Sequence, residues 1–144
     1  MAFTYARGPK HETTGIPSSA FSRGHPLMYD SASSLSRIPA TIATGTLIVG
    51  IALADSTESL NHQVPYMVID RDTILWSDAT TGSQMTPGET LDLEYTGGEF
   101  RVSTSVNTAI VKIADHGGTQ DLADQSVASR VQVMFDPTYL LFKS

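Results

Sequence analysis

Cysteine is absent from the 144 residues, so neither a disulfide framework nor a thiolate metal site can form. Long apolar runs are missing as well. The longest, Leu47 to Ala54, has the length of a buried strand and falls far short of the roughly 18 to 20 residues of a membrane helix. The N-terminus has no hydrophobic signal core, and no secretion signal is expected, which suits synthesis in a cytoplasm. Helix signals are scarce. Only Asp121 to Arg130 offers a weak apolar face, from Leu122, Ala123, Val127 and Ala128, and it reads as a loop with one helical turn at most. Cations are few, and the net charge of −6 is unevenly placed. Residues 1–25 carry Arg7, Lys10 and Arg23 against Glu12, a balance of +2, whereas residues 26–144 carry six Lys or Arg against fourteen Asp or Glu, a balance of −8. An acidic body argues against a general nucleic-acid binder, which needs clustered cations to neutralise phosphates.

What is present is strand signal. The apolar content of 40% is enough for a core. Short apolar or alternating runs recur at Pro26 to Asp30, Thr46 to Ala54, Tyr66 to Asp70, Thr73 to Ser77, Thr90 to Tyr95, Glu99 to Thr104, Ala109 to Ile113 and Arg130 to Phe135, and Tyr139 to Phe142 closes the series. Gly and Pro turns separate them, a pattern that predicts an all-β domain, a single barrel or sandwich, from about Arg23 to Ser144. Thr90 to Tyr95 puts Leu91, Leu93 and Tyr95 on one face and Asp92 and Glu94 on a solvated one; Thr96-Gly97-Gly98 then turns the chain into Phe100 and Val102. Arg71 and Asp72 suggest a second, weaker hairpin turn. Gly50 suggests a bulge, a bend or a close backbone approach inside a run covered on both faces. The expected core is Leu47, Val49, Ile51, Leu53, Val68, Leu75, Leu91, Leu93, Phe100, Val102, Ile110, Val131, Val133 and Phe135.

Residues 1–22 differ from the rest. They are rich in Gly, Pro, Ser and Thr, with Met1, Phe3, Tyr5, Ile16 and Phe21 widely scattered and no period of 2 or 3.6. Such a segment cannot bury enough apolar surface to offset its ordering entropy alone. It reads as an extended arm, nearly free of helix and strand, that orders against other chains. Phe3, Tyr5, Ile16 and Phe21 would serve as its apolar anchors, and Arg7 and Lys10 as its charged contacts.

The residues that carry chemistry do not gather in sequence. His11, His25, His62 and His116 form no metal-ligand spacing, so no metal is expected. Asp70 and Asp72 flank Arg71; a divalent ion or an acid–base pair could use them, but a turn between two strands accounts for them more simply. No nucleophile elbow and no phosphate-cradling glycine loop occurs, so no catalytic residue and no cofactor is assigned. Trp76, within an apolar strand, reads as core rather than as a sugar platform.

Arg23-Gly24-His25-Pro26-Leu27 leading into the first strand, Ile48-Val49-Gly50-Ile51-Ala52-Leu53-Ala54, and the strands running to Val131 to Phe135 together resemble the capsid decoration, or cement, proteins of tailed bacteriophages. The resemblance spans roughly residues 21–136. It implies a non-enzymatic virion protein that binds the outer capsid surface, contacts the major capsid protein and staples neighbouring capsomers as a homotrimer. Neither nucleic acid nor membrane would be a partner. Tyr139, Leu140, Leu141 and Phe142 are the expected oligomer contact, with packing inside the same domain as the other reading of that run. The competing hypothesis is a small trimeric β-barrel enzyme or ligand-binder of dUTPase-like design, with sites between subunits built from Asp70, Asp72 and a histidine.

Overall fold

A computed structural model describes residues 3–31, 34–40, 42, 45–57, 62–79, 88–103, 108–114 and 130–142. In chain order the strands are β1 (Phe3–Arg7), β2 (His11–Pro17), β3 (Ala20–Phe21), β4 (Pro26–Ser31), β5 (Ser34–Arg37), β6 (Gly50–Ala52), β7 (Ser56–Thr57), β8 (Val64–Val68), β9 (Ile74–Asp78), β10 (Thr90–Leu91), β11 (Leu93–Thr96), β12 (Glu99–Val102), β13 (Val111–Ile113) and β14 (Arg130–Phe135). A 3₁₀ turn at Pro137–Tyr139 follows, capped by the Asp136 carboxylate. The chain is all-β, as its strand and turn signals predict. The helical turn expected within Asp121 to Arg130 lies outside the described residues.

Five strands close into a barrel in the order β2-β5-β4-β6-β8. The β2–β5 pair is parallel and the others are antiparallel. Beside it lies an antiparallel sheet in the order β1-β9-β14-β13-β10. Alternation along β8 joins the two bodies. Val64, Tyr66 and Val68 face the barrel core with Leu27 and Leu35, whereas Met67 and the following Ile69 join Phe3, Leu75, Phe100, Val133 and Phe135 in a larger core shared with the sheet. Within the 47–54 run, residues 48–52 are likewise covered on both faces. Ile48 and Ile51 belong to the shared core, Val49 and Ala52 to the barrel core. Strict alternation would separate residues three apart, so the strand turns over at Gly50. A methyl group there would overlap the Met67 carbonyl, which is the close backbone approach the glycine suggests.

Several expectations require correction. The segment 1–22 is not an arm that orders against other chains: from Phe3 onward its described residues form β1, β2 and β3 within this chain. β1 pairs with β9, β3 with β7, and β2 with β8 from His11↔Val68 to Gly15↔Val64. Its polarity misleads because β2 supplies backbone hydrogen bonds rather than apolar area, and its neighbours bring the apolar side chains that offset the ordering cost. Phe3 is only 1% exposed, with its ring 5.2 Å from that of Phe135. A boundary at Arg23 therefore divides nothing in the described fold. The Arg71–Asp72 turn joins no hairpin either. β8 belongs to the barrel and β9 to the sheet, so this turn carries the chain between bodies. Leu47 is 38% exposed and is not core, because its neighbour Ile48 takes the inward position. Trp76 is half-buried, while Ile74, Leu75 and Ser77 around it are buried. Leu53 and Val68 only pack against the edges of the cores.

The hairpin of β11 and β12 has the expected register, with Leu93↔Val102 and Tyr95↔Phe100, and Gly97 and Gly98 take φ of 62° and 83° in a two-residue turn. Asp92 breaks the strand before it. It is buried rather than solvated, and its Oδ1 accepts hydrogen bonds from Thr108 N, Thr108 Oγ1 and Ala109 N at 2.7, 3.0 and 2.6 Å. Its carboxylate thereby pins the 108–110 turn, where Ala109 adopts a φ of 50°.

Candidate functional site

Two surfaces stand out, one where the chain ends meet and one where four distant segments converge. The first gathers residues that the sequence assigns to separate roles. Tyr5 is partly exposed at the edge of the sheet, its hydroxyl donating to the Gly8 carbonyl, and Lys10 Nζ lies 4.4 Å over its ring. The same ammonium sits 3.1 Å from the Glu12 carboxylate. Lys10 also lines a depression of about 240 Å³ together with Pro9, His11, Val68, Ile69, Asp70 and Phe142. Phe142 is 44% exposed, and Leu141 beside it is partly exposed. The C-terminal run is held there because Ile48 bridges Leu140 in parallel and accepts the Leu141 N–H. Leu47, exposed on the adjoining segment, flanks that bridge.

The structure thus divides both groups of expected contact residues. Of the N-terminal set, Phe3 and Phe21 are buried in this chain's own cores, Ile16 is half-buried, and Tyr5, Arg7 and Lys10 are exposed. Of the C-terminal set, Tyr139 and Leu140 are buried, with the Tyr139 hydroxyl donating to the Thr108 carbonyl, and Leu141 and Phe142 point outward. Lys10 and Phe142 share one depression, a juxtaposition that no sequence spacing reveals.

The aspartates at 70 and 72 serve the turn between the two bodies. Asp70 Oδ1 accepts the Asp72 N–H at 2.8 Å, and the buried Thr73 hydroxyl donates to the Pro9 carbonyl, tying the N-terminal segment to that turn. His11 and Asp70 both line the depression. Among the described residues no group of three or more His, Cys, Asp or Glu could hold a metal ion.

The second surface is a cleft of about 620 Å³ between the β3–β7 pair, the end of β5 and the tip of the β11–β12 hairpin. His25 lies at its floor, only 3% exposed. Its Nδ1 accepts the Ser22 N–H at 3.1 Å and its Nε2 faces the Gly98 carbonyl at 2.9 Å, which fixes the neutral tautomer with the proton on Nε2. Burial lowers its pKa from the ordinary 6.5, opposed by the Gly98 hydrogen bond and by the charge of Glu99. The ring packs edge-on against Phe100 and Tyr95. The Arg37 guanidinium lies over the Tyr95 ring, 4.2 Å from its centroid. Asp55 Oδ1 accepts the Arg23 N–H at 2.8 Å, and Ser56, on β7, lines the same cleft. Of these residues the sequence raises only His25 as a candidate ligand, one of four histidines without metal-ligand spacing and within the 23–27 stretch, and it assigns none of them to a site. They come from four separate segments, and only the Gly97-Gly98 hairpin gave a local signal.

No family model matches the chain, and no curated protein matches it.

Proposed function

We propose that the protein is a structural, non-enzymatic virion component that binds the outer surface of a bacteriophage capsid and cements neighbouring capsomers, made in the host cytoplasm and acting as a homotrimer on the major capsid protein. The observation that carries this reading is that the two stretches behind the resemblance are one structural unit. Residues 24–27 and 49–52 lie side by side where β4 begins against β6, with Pro26↔Ile51 and Leu27↔Gly50 in register. Gly24 N donates to Ala52 O at 2.8 Å, Ala52 N to His25 O at 2.9 Å and Val49 N to Leu27 O at 2.8 Å.

The capsid contact in this reading is the folded surface where Tyr5, Lys10, Leu141 and Phe142 meet, in place of a free arm. Exposed aromatics beside a cation suit an interface that must exclude water at its centre and keep a polar rim. Three such surfaces on a trimer would engage several subunits at once and gain avidity without a strong single contact. The test is to mix the purified chain with empty capsids and sediment them. Co-sedimentation together with raised heat resistance of the particles is the expected result. Failure of the protein to sediment with capsids, with no change in their heat resistance, would overturn the reading.

A further inference from the structure

We propose that the cleft beside His25 binds an acidic side chain presented by an extended segment of a partner protein, with Arg37 as the carboxylate receptor. Three observations carry this. The first is that Arg37 forms no ion pair among the described residues, although its guanidinium is held over the Tyr95 ring, 4.2 Å from the centroid. That contact restrains the side chain and leaves its N–H donors for a carboxylate, so less side-chain freedom remains to be lost on binding. The second is that the Ser56 hydroxyl is buried without a hydrogen-bond partner in a residue 7% exposed that lines the same cleft. An unsatisfied buried hydroxyl is rare in a folded chain, and an incoming polar group would satisfy it. The third is size and charge. About 620 Å³ exceeds what a single small anion fills and accommodates a short stretch of peptide. Around His25 the Arg37 cation stands with the carboxylates of Asp55 and Glu99, so the cleft has no surplus of positive charge to hold a phosphate dianion, and a single carboxylate would bind through the directed N–H donors of Arg37 rather than through the field of the cleft. The inference is independent of the capsid reading, because the partner is defined by its acidic segment alone.

The test is an NMR titration of the ¹⁵N-labelled full chain with acetyl-Ala-Glu-Ala-amide at constant ionic strength. Acetyl-Ala-Gln-Ala-amide, N-acetylglutamate and inorganic phosphate serve as parallel probes. The expected result is saturable shifts of the Arg37 Nε–H and of the Ser56 and Gly98 amides with the glutamate peptide, and binding at least about tenfold weaker for the other three. Arg37→Gln should lose about tenfold or more in affinity for the glutamate peptide, Arg37→Lys should lose less, and Ser56→Ala should fall between wild type and Arg37→Gln. Unchanged Leu35 and Tyr66 signals establish that each variant is folded; if Arg37→Gln does not fold, Arg37→Lys and Ser56→Ala carry the comparison. Equal binding of the glutamine peptide would overturn the proposal. So would tighter binding of phosphate or of N-acetylglutamate, unsaturable shifts, or full affinity in the folded Arg37 and Ser56 variants.

Discussion

Among the described residues, seven buried apolar residues form the barrel core, Phe21, Leu27, Leu35, Val49, Ala52, Val64 and Tyr66, whereas twenty-one form the core that the barrel shares with the neighbouring sheet. The difference shows where each body draws its stability. The barrel is closed mainly by its backbone ladder, which lets a strand as polar as His11–Pro17 take part. The sheet is held by side-chain packing, and the barrel strands contribute Ile51 and Met67 to it. Neither body is therefore expected to persist without the other, and β1, first in the chain, is fastened by its Phe3 to the larger core.

Truncations in the shared core should have the largest effect. Phe3→Ala and Phe135→Ala each remove a ring from the same aromatic contact and should each cost about 3 to 5 kcal/mol in urea unfolding. An unchanged midpoint for Phe3→Ala would return the N-terminal segment to the status of a loose arm. Next comes Asp92→Ala, which takes the charged acceptor away from three donors of the half-buried Thr108 and Ala109 and should cost about 2 to 4 kcal/mol in the same assay, with Asp92→Asn recovering part of the loss. Gly50→Ala tests the junction between the two cores. The added methyl meets backbone at Met67, so a cost of about 1 to 3 kcal/mol is expected; a neutral outcome would mean that β6 and β8 are not so closely apposed.

The smallest effect is a pH dependence at the cleft, where Glu99, Arg37 and Asp55 are the charged groups that act on His25. Because its folded pKa is lowered, the unfolded chain takes up a proton near 6.5 that the folded chain refuses. Stability from this group is therefore full above that pH and declines as the pH falls from about 6.5 toward the folded value. Urea midpoints measured on either side of that range should show the decline in wild type and a shallower one in His25→Gln, which cannot titrate. Equal slopes would remove His25 as the cause.

Part of this was legible in the sequence. The β11–β12 hairpin could be read residue by residue, because Leu93, Tyr95, Phe100 and Val102 alternate around a Gly-Gly turn that requires positive φ. The burial of both faces of the 47–54 run could be read from its length without polar interruption only for residues 48–52, because its ends, Leu47, Leu53 and Ala54, lie at the edges of the cores. β1 to β3 could not, since a strand that gives backbone hydrogen bonds and few apolar atoms has the composition of a loop. Asp92 was misplaced for a related reason: alternation assigns a face but cannot see the 108–110 turn that brings three donors to its carboxylate. The cleft was the least legible feature. Ser22, His25, Arg37, Ser56 and Tyr95 meet only because strands distant in the chain are neighbours in space, and no single segment holds a recognisable pattern.

Amide hydrogen exchange of the protein, alone and with empty capsids, separates a folded N-terminal segment that carries the proposed capsid contact from an arm that orders only on the particle. In the free protein the amides of β1 and β2 should already be protected by their pairing with β9 and β8, and adding capsids should deepen protection at residues 5–10 and 140–142. Exchange of residues 3–17 at the rate of an unfolded peptide in the free protein, with protection only on the particle, would contradict the folded N-terminal segment.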